Sequence, residues 1–312
     1  MLTNENERTT KNDVNAVGWR YALGCTIVTL LALGASFLLR DFLTDISKEA
    51  QSNISLIFTL VINQILLPLI LFLLVKGLPT YKLPRVKKSV AWFGVALAIG
   101  YGYSIIGSFL GMGVNYVVTG STNSIVSEIL GYGNKWLMIF VTCIGAPVAE
   151  ELAFRKILVD KLAGYSKALA IFSSGIMFGI FHGNFQQFFF ATMLGCVFAY
   201  VYVESGNILL TMLMHMIINS ISTIMSSFLL PNMDTNPIAM VLIVVFSMGI
   251  AVMVLGGIGL GIAFRRKIRI SYEDKPHGKM SDFFKSWGMY VFVIFGIVYF
   301  VYNYMMLMAQ GY

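Results

Sequence analysis

Residues 54–75 read Ile54-Ser-Leu-Ile-Phe-Thr-Leu-Val-Ile-Asn-Gln-Ile-Leu-Leu-Pro-Leu-Ile-Leu-Phe-Leu-Leu-Val75, without one Asp, Glu, Lys or Arg. A bilayer core about 30 Å thick needs about 20 such residues of helix to cross it. Only a helix or a closed barrel can satisfy its own backbone there, and long apolar runs with bounded loops point to helices. Working outward, the same reading gives eight more runs: Tyr21–Leu39, Val90–Val118, Trp136–Leu152, Ala168–His182, Phe188–Val203, Ile208–Leu230, Pro237–Phe264 and Trp287–Met308. The fifth and sixth in chain order are short, so eight spans result if those two form a re-entrant pair. The fold class is therefore all-α, a polytopic transmembrane bundle of eight or nine spans.

Composition agrees. Of 312 residues, 57% belong to the apolar and aromatic set and 12% are charged, against roughly 25% charged in soluble domains. So few charges cannot cover a water-facing surface, which excludes a soluble enzyme, a disordered chain and a nucleic-acid binder despite the net charge of +7. Placing the N-terminus in the cytoplasm and alternating puts 19 Lys and Arg in the inner segments 1–20, 76–89, 155–167, 204–207 and 265–286; Arg40, Lys48 and Lys135 are left outside. That asymmetry is the positive-inside signature. In this count Arg155 is treated as a loop residue. The basic stretch from Arg265 to Lys285, with Phe283, Phe284 and Trp287 at its end, reads as an interfacial segment on anionic lipid. No cleavable leader is evident, since the first 17 residues are polar. Cys25, Cys143 and Cys196 lie in apolar runs and read as buried thiols. Gly107/Gly111 and Gly257/Gly261 have small-xxx-small spacing and read as helix-packing sites.

The chemistry-bearing residues gather in the middle of the chain. Glu150 and Glu151 end the fourth run. An ionisable group inside a bilayer costs at least about 2.5 kcal/mol, so two adjacent acids need a reason. Glu151 and Arg155 are four residues apart and form an ion pair on one helix face. Glu150 points about 100° away with no local partner, and a desolvated carboxyl is the kind of group that serves as a general base or acid. The competing reading is that both acids bind Arg155 and join helices. His277 falls in the basic loop and is solvated. His182 ends Phe178-Gly-Ile-Phe-His182, and His215 shares a helix face with Asn219. If the fourth helix continues to Leu162, Glu150 lies about 18 Å from its inner end, His182 about 23 Å up the next helix and His215 about 12 Å up a third. One cavity open to the cytoplasm can hold all of them.

Glu150 and His182 could polarise a water, while His215 and Asn219 could donate to a tetrahedral oxyanion. Glu150, His182 and His215 could equally form a two-histidine, one-carboxylate metal set. No serine or cysteine sits beside a base, so covalent catalysis has no candidate.

The sequence Glu150-Glu151-Leu-Ala-Phe-Arg155, then Phe178-Gly-Ile-Phe-His182, then His215-Met-Ile-Ile-Asn219 resembles, in order, the EExxxR, FxxxH and HxxxN motifs of the CPBP family. These are the CAAX-processing and bacteriocin-processing proteases, also known as Abi or type II CAAX prenyl endopeptidases. The similarity covers residues 136–226. It divides the chain into N-terminal spans 1–135, a protease core 136–226 and C-terminal spans 227–312. The resemblance implies an intramembrane endopeptidase acting on membrane-bound peptide or protein substrates in the lipid bilayer. It implies Glu150 and His182 as water activators, His215 and Asn219 as oxyanion holders, and Glu151 and Arg155 as a supporting or substrate-touching pair. The cofactor is left open between none and a divalent metal such as zinc. The competing functions are a non-catalytic membrane immunity or regulatory scaffold, and an ion-coupled transporter, which the lack of internal repeats disfavours. The composition fits a multi-pass protein of a bacterial plasma membrane.

Overall fold

A computed structural model describes residues 2–120, 132–232, 235–264 and 279–309. Helices are the only regular structure among the described residues, with no strand among them. The helices are α1 (Leu2–Thr44), α2 (Lys48–Val75), α3 (Val90–Thr119), α4 (Lys135–Leu162), α5 (Lys167–Phe181), α6 (Phe185–Ser205), α7 (Ile208–Asn232), α8 (Pro237–Phe264), α9 (Met280–Phe284) and α10 (Trp287–Ala309). Seven, α1 to α4 and α6 to α8, are long and apolar enough to cross a membrane; α5 and α10 are shorter apolar helices. The polytopic helical class expected from the sequence is thus observed.

Local chemistry explains the boundaries. Ser47, Ser89, Asn134, Ser166, Asn184 and Asn207 each accept a backbone N–H of the first turn that follows, satisfying donors a helix start leaves open. Gly120 and Gly206 end α3 and α6 in the left-handed region, at φ 71° and 59°, where a side chain would be strained.

The packing is centred on α6, which lies against α3 on one side and α5 on the other. Glycines set both distances. A Cβ on Gly107 or Gly111 of α3 would meet the α6 backbone at Phe190 or Gln186 at 2.5–2.6 Å, and a Cβ on Gly175 of α5 would strike Cys196. Gly257 of α8 sits equally close to the Ala98 carbonyl of α3. The helix-packing role expected for Gly107, Gly111 and Gly257 holds; nothing is described for the side of Gly261. The three cysteines are free, with Cys25 and Cys143 buried and Cys196 half-buried.

Three details differ from the sequence reading. The first helix begins in the polar N-terminal stretch, because Val14 and Val17 are wholly buried against the rest of the bundle. The fourth helix runs on to Leu162, as the depth comparison supposed, so it is the charge count's treatment of Arg155 as a loop residue that fails: Arg155 is helical and buried. Phe283 is fully buried instead of lying on lipid, and its carbonyl touches Gly18. His277 and the stretch 265–278 lie outside the described residues.

The segments assigned to one side meet one another. Tyr165 donates to Asp13, Asn15 to the Asp282 carbonyl and Arg20 to the Leu74 carbonyl. The non-helical strap 76–89 donates from the Tyr81 N–H to the Asp160 carbonyl at 2.6 Å and from the Val86 N–H to the Ser205 carbonyl at 2.8 Å. Lys161 reaches back to the Leu78 carbonyl and the Thr80 hydroxyl. At the opposite end the Asn134 N–H donates to Asn53, and Lys48 lies over the Tyr132 ring.

Candidate active site

The site is built on α4, whose hydrogen bonds widen to i→i+5 over Phe140–Gly145 and again over Glu151–Val159. Widened turns of this kind are rare and recur at functional sites. Pro147 lies between the two. The Ala146 N–H bonds the Val141 carbonyl. The next donor in that register belongs to Pro147, which has no N–H, so the Thr142 carbonyl is left without a helical partner. The Asn219 side chain on α7 supplies one, at 2.9 Å. From the other flank the Gln64 amide of α2 donates to the Val141 carbonyl at 2.7 Å.

Glu151 is the centre of the charged cluster. Its Oε2 lies 3.0 Å from Arg155 Nε, and both side chains are fully buried, as the spacing predicts. The contact is an ion pair rather than an aligned hydrogen bond. Its Oε1 lies 3.1 Å from His215 Nδ1. The other imidazole nitrogen, Nε2, faces Glu150 at 3.6 Å. Glu150 therefore has a partner that the sequence did not reveal, and His215 stands between the two acids. The Arg155 guanidinium is covered by the rings of Phe178 (4.6 Å) and Phe198 (5.3 Å). Its Nη atoms have no hydrogen-bond acceptor among the described residues. The aromatic faces and the Glu151 charge are what make a buried cation tolerable there.

His182 follows the last residue of α5. Its Nδ1 is 2.7 Å from the Phe178 carbonyl, which can only accept, so Nδ1 carries the proton and Nε2 the lone pair. Gly183 turns the chain immediately afterwards at φ 64°, with the Tyr299 ring against it. The α5 helix of 15 residues rises about 22 Å, less than the thickness of a bilayer core. Phe178 joins the two histidines, edge-on to His182 at 4.7 Å and to His215 at 5.9 Å. Glu150, His215 and Arg155 are the ionisable groups within electrostatic reach of His182.

Of the six residues singled out from sequence, Glu150, Glu151, Arg155 and His215 are in direct contact, His182 joins them through Phe178, and Asn219 holds the helix that carries the acids. Sequence reasoning missed Phe198, Gln64 and Pro147. A signal existed for Gln64, an amide inside an apolar span, and for Pro147, a helix-interior proline. None existed for Phe198.

Each imidazole has its Nδ1 held by a second group, as metal-binding histidines do. Among the described residues, however, no three His, Cys, Asp or Glu side chains gather closely enough to hold an ion. The donor set as arranged does not fit a metal.

Comparison with known proteins covers the stretch that carries these residues. Residues 132–221 match the Rce1-like type II CAAX prenyl endopeptidase family. A Bacillus subtilis (strain 168) protein named "Putative membrane peptidase YdiL" is 28% identical over 141 residues, which are 40% of this chain and 57% of that protein. The alignment thus spans little more than half the length of the curated relative. No solved structure matches the chain. The Rce1-like segment holds all six motif residues, whereas Gln64, which touches it, lies outside.

Proposed function

We propose that the protein is an intramembrane endopeptidase, cutting membrane-associated peptide or protein substrates with Glu150, His182, His215 and Asn219. The observation that carries this reading is the His215 ring held between Glu151 and Glu150. Glu151, paired with Arg155, accepts from Nδ1 and fixes the ring, as a buried carboxylate orients a catalytic imidazole. Glu150 is thereby free of Arg155 and available to take a proton.

Water bound between Glu150 and His182 Nε2 gives its proton to Glu150 as its oxygen attacks the substrate carbonyl. The tetrahedral oxyanion accepts from His215 Nε2 and from the second amide hydrogen of Asn219, the first being engaged by Thr142. With Nδ1 donating to Glu151, donation from Nε2 requires the doubly protonated ring. Collapse breaks the C–N bond, and Glu150 returns its proton to the leaving nitrogen. One preorganised oxyanion donor contributes about 10²–10³ in rate.

The family match supports a CAAX-type substrate class. The orientation with residues 1–20 and the strap on the cytoplasmic side, in a bacterial plasma membrane, is part of the same reading. The test is comparative peptidomics of membranes carrying the wild-type chain or Glu150→Gln at equal abundance. Peptides present with the wild type and lost with the variant are expected. Identical peptide sets would remove Glu150 as the base and leave a non-catalytic scaffold.

A further inference from the structure

We infer that Gln64, on a helix outside the Rce1-like segment, is a positioning residue for the Glu150–Glu151 carboxylate pair; its consequence for turnover rests on the peptidase reading above. Gln64 is 9% exposed and follows Asn63 within a largely apolar stretch of α2, and burying an amide costs free energy unless it is bonded. Its Nε2 bonds the Val141 carbonyl at 2.7 Å, yet that carbonyl already accepts the Ala146 N–H. The backbone therefore does not require the bond. Meanwhile Gln64 Oε1 is buried with no hydrogen-bond partner among the described residues, so the amide is kept at some cost for its donor alone.

What the donor does follows from its neighbour. Asn219 holds the Thr142 carbonyl from α7, and Gln64 holds the Val141 carbonyl from α2. Two amides on different helices thus grip consecutive carbonyls of the widened turn Phe140–Gly145. Each extra residue in a helical turn rotates everything after it by about 100°. The widened turn therefore sets which way Glu150 and Glu151 point, and a slip would take them off the two nitrogens of His215. Gly145 completes the device, because a Cβ there would collide with Gln64 Oε1. Gln64 does for α4 from outside the family segment what Asn219 does from within it.

The experiment compares the full-length wild type with Gln64→Met, which keeps the volume and loses the donor, and with the pair Gly145→Ala and Gly145→Ala/Gln64→Ala, all in lipid nanodiscs. Two quantities are read: amide hydrogen exchange across residues 141–151, and the rate of forming the Glu150-dependent peptides. Expected for Gln64→Met are exchange at least tenfold faster in that segment and a kcat at least tenfold lower with KM unchanged. In the double variant the clash is relieved, so abundance lost in Gly145→Ala returns while kcat stays low. Wild-type exchange and kcat in Gln64→Met, or full activity in the double variant, would overturn the inference. If no Glu150-dependent peptide exists, the peptidase reading fails instead, and exchange alone decides whether Gln64 holds the pair.

Discussion

At the scale of single residues, the site spends its charges in a fixed order. Arg155 neutralises Glu151, Glu151 orients His215, and His215 faces Glu150. The first link was legible, because Glu151 and Arg155 are four apart on one helix. The others join residues 64 and 65 positions apart, and no local pattern encodes them. Asn219 shows how a motif residue can do two things. Its amide occupies a carbonyl that Pro147 leaves open, and a buried carbonyl left unpaired costs about 1–3 kcal/mol. Asn219→Ala is therefore expected to lower both thermal stability and turnover. In a Pro147→Ala background the new N–H supplies the missing donor, so the stability cost of Asn219→Ala should shrink by about 1–3 kcal/mol while turnover stays low. A melting-temperature cycle over the four proteins checks this. An equal cost in both backgrounds would mean that Asn219 does not serve the Thr142 carbonyl.

At the scale of elements, helix existence was written in the chain and helix irregularity was not. Runs of apolar residues located nearly every helix, and the Ser, Asn and Gly caps that bound them are local hydrogen-bonding events. The widened turn Phe140–Gly145 is bonded by side chains from α2 and α7, contacts that no local pattern encodes. The short α5 was also legible as an apolar run. Its neighbour α6 is fixed by backbone-to-backbone contact at Gly107 and Gly111. Lipid offers no hydrophobic drive between helices, so close approach carries the association. Gly111→Val is expected to destabilise by about 1–3 kcal/mol, the range for overpacking, and to move α3 off α6. Abundance and melting temperature in detergent report it, with Gly113→Val as the control, since nothing lies within 4 Å of Gly113. Equal effects at both positions would contradict the packing role.

At the scale of the whole molecule, helix ends and connections form two groups that contact within each group: residues 13–20, 74–89, 160–165, 205–206 and 282–288 at one end, and 48–53 with 132–134 at the other. This is what alternation of spans requires, and it persists with Arg155 removed from the charge count. The Tyr165 phenol is held well above its ordinary range by burial and by Asp13, which accepts its hydrogen bond. That link between α1 and the α4–α5 turn thus remains a donor at any working pH. Single cysteines at Lys82 and Lys156, in a background lacking Cys25, Cys143 and Cys196, are expected to react with an impermeant maleimide only from the cytoplasmic side, and one at Lys48 only from the other. Labelling of Lys48 and Lys82 positions from the same side would break the topology.

The strap has a consequence of its own. Tyr81 and Val86 bond main-chain oxygens of α4 and α6, and Lys161 returns to the Leu78 carbonyl. Attachments made through peptide groups read the course of a chain and ignore most of its lettering. A stretch of the same span with different side chains could lace these helix ends equally well. Kinship through this region would then be visible in superposed backbones long after it had vanished from aligned text.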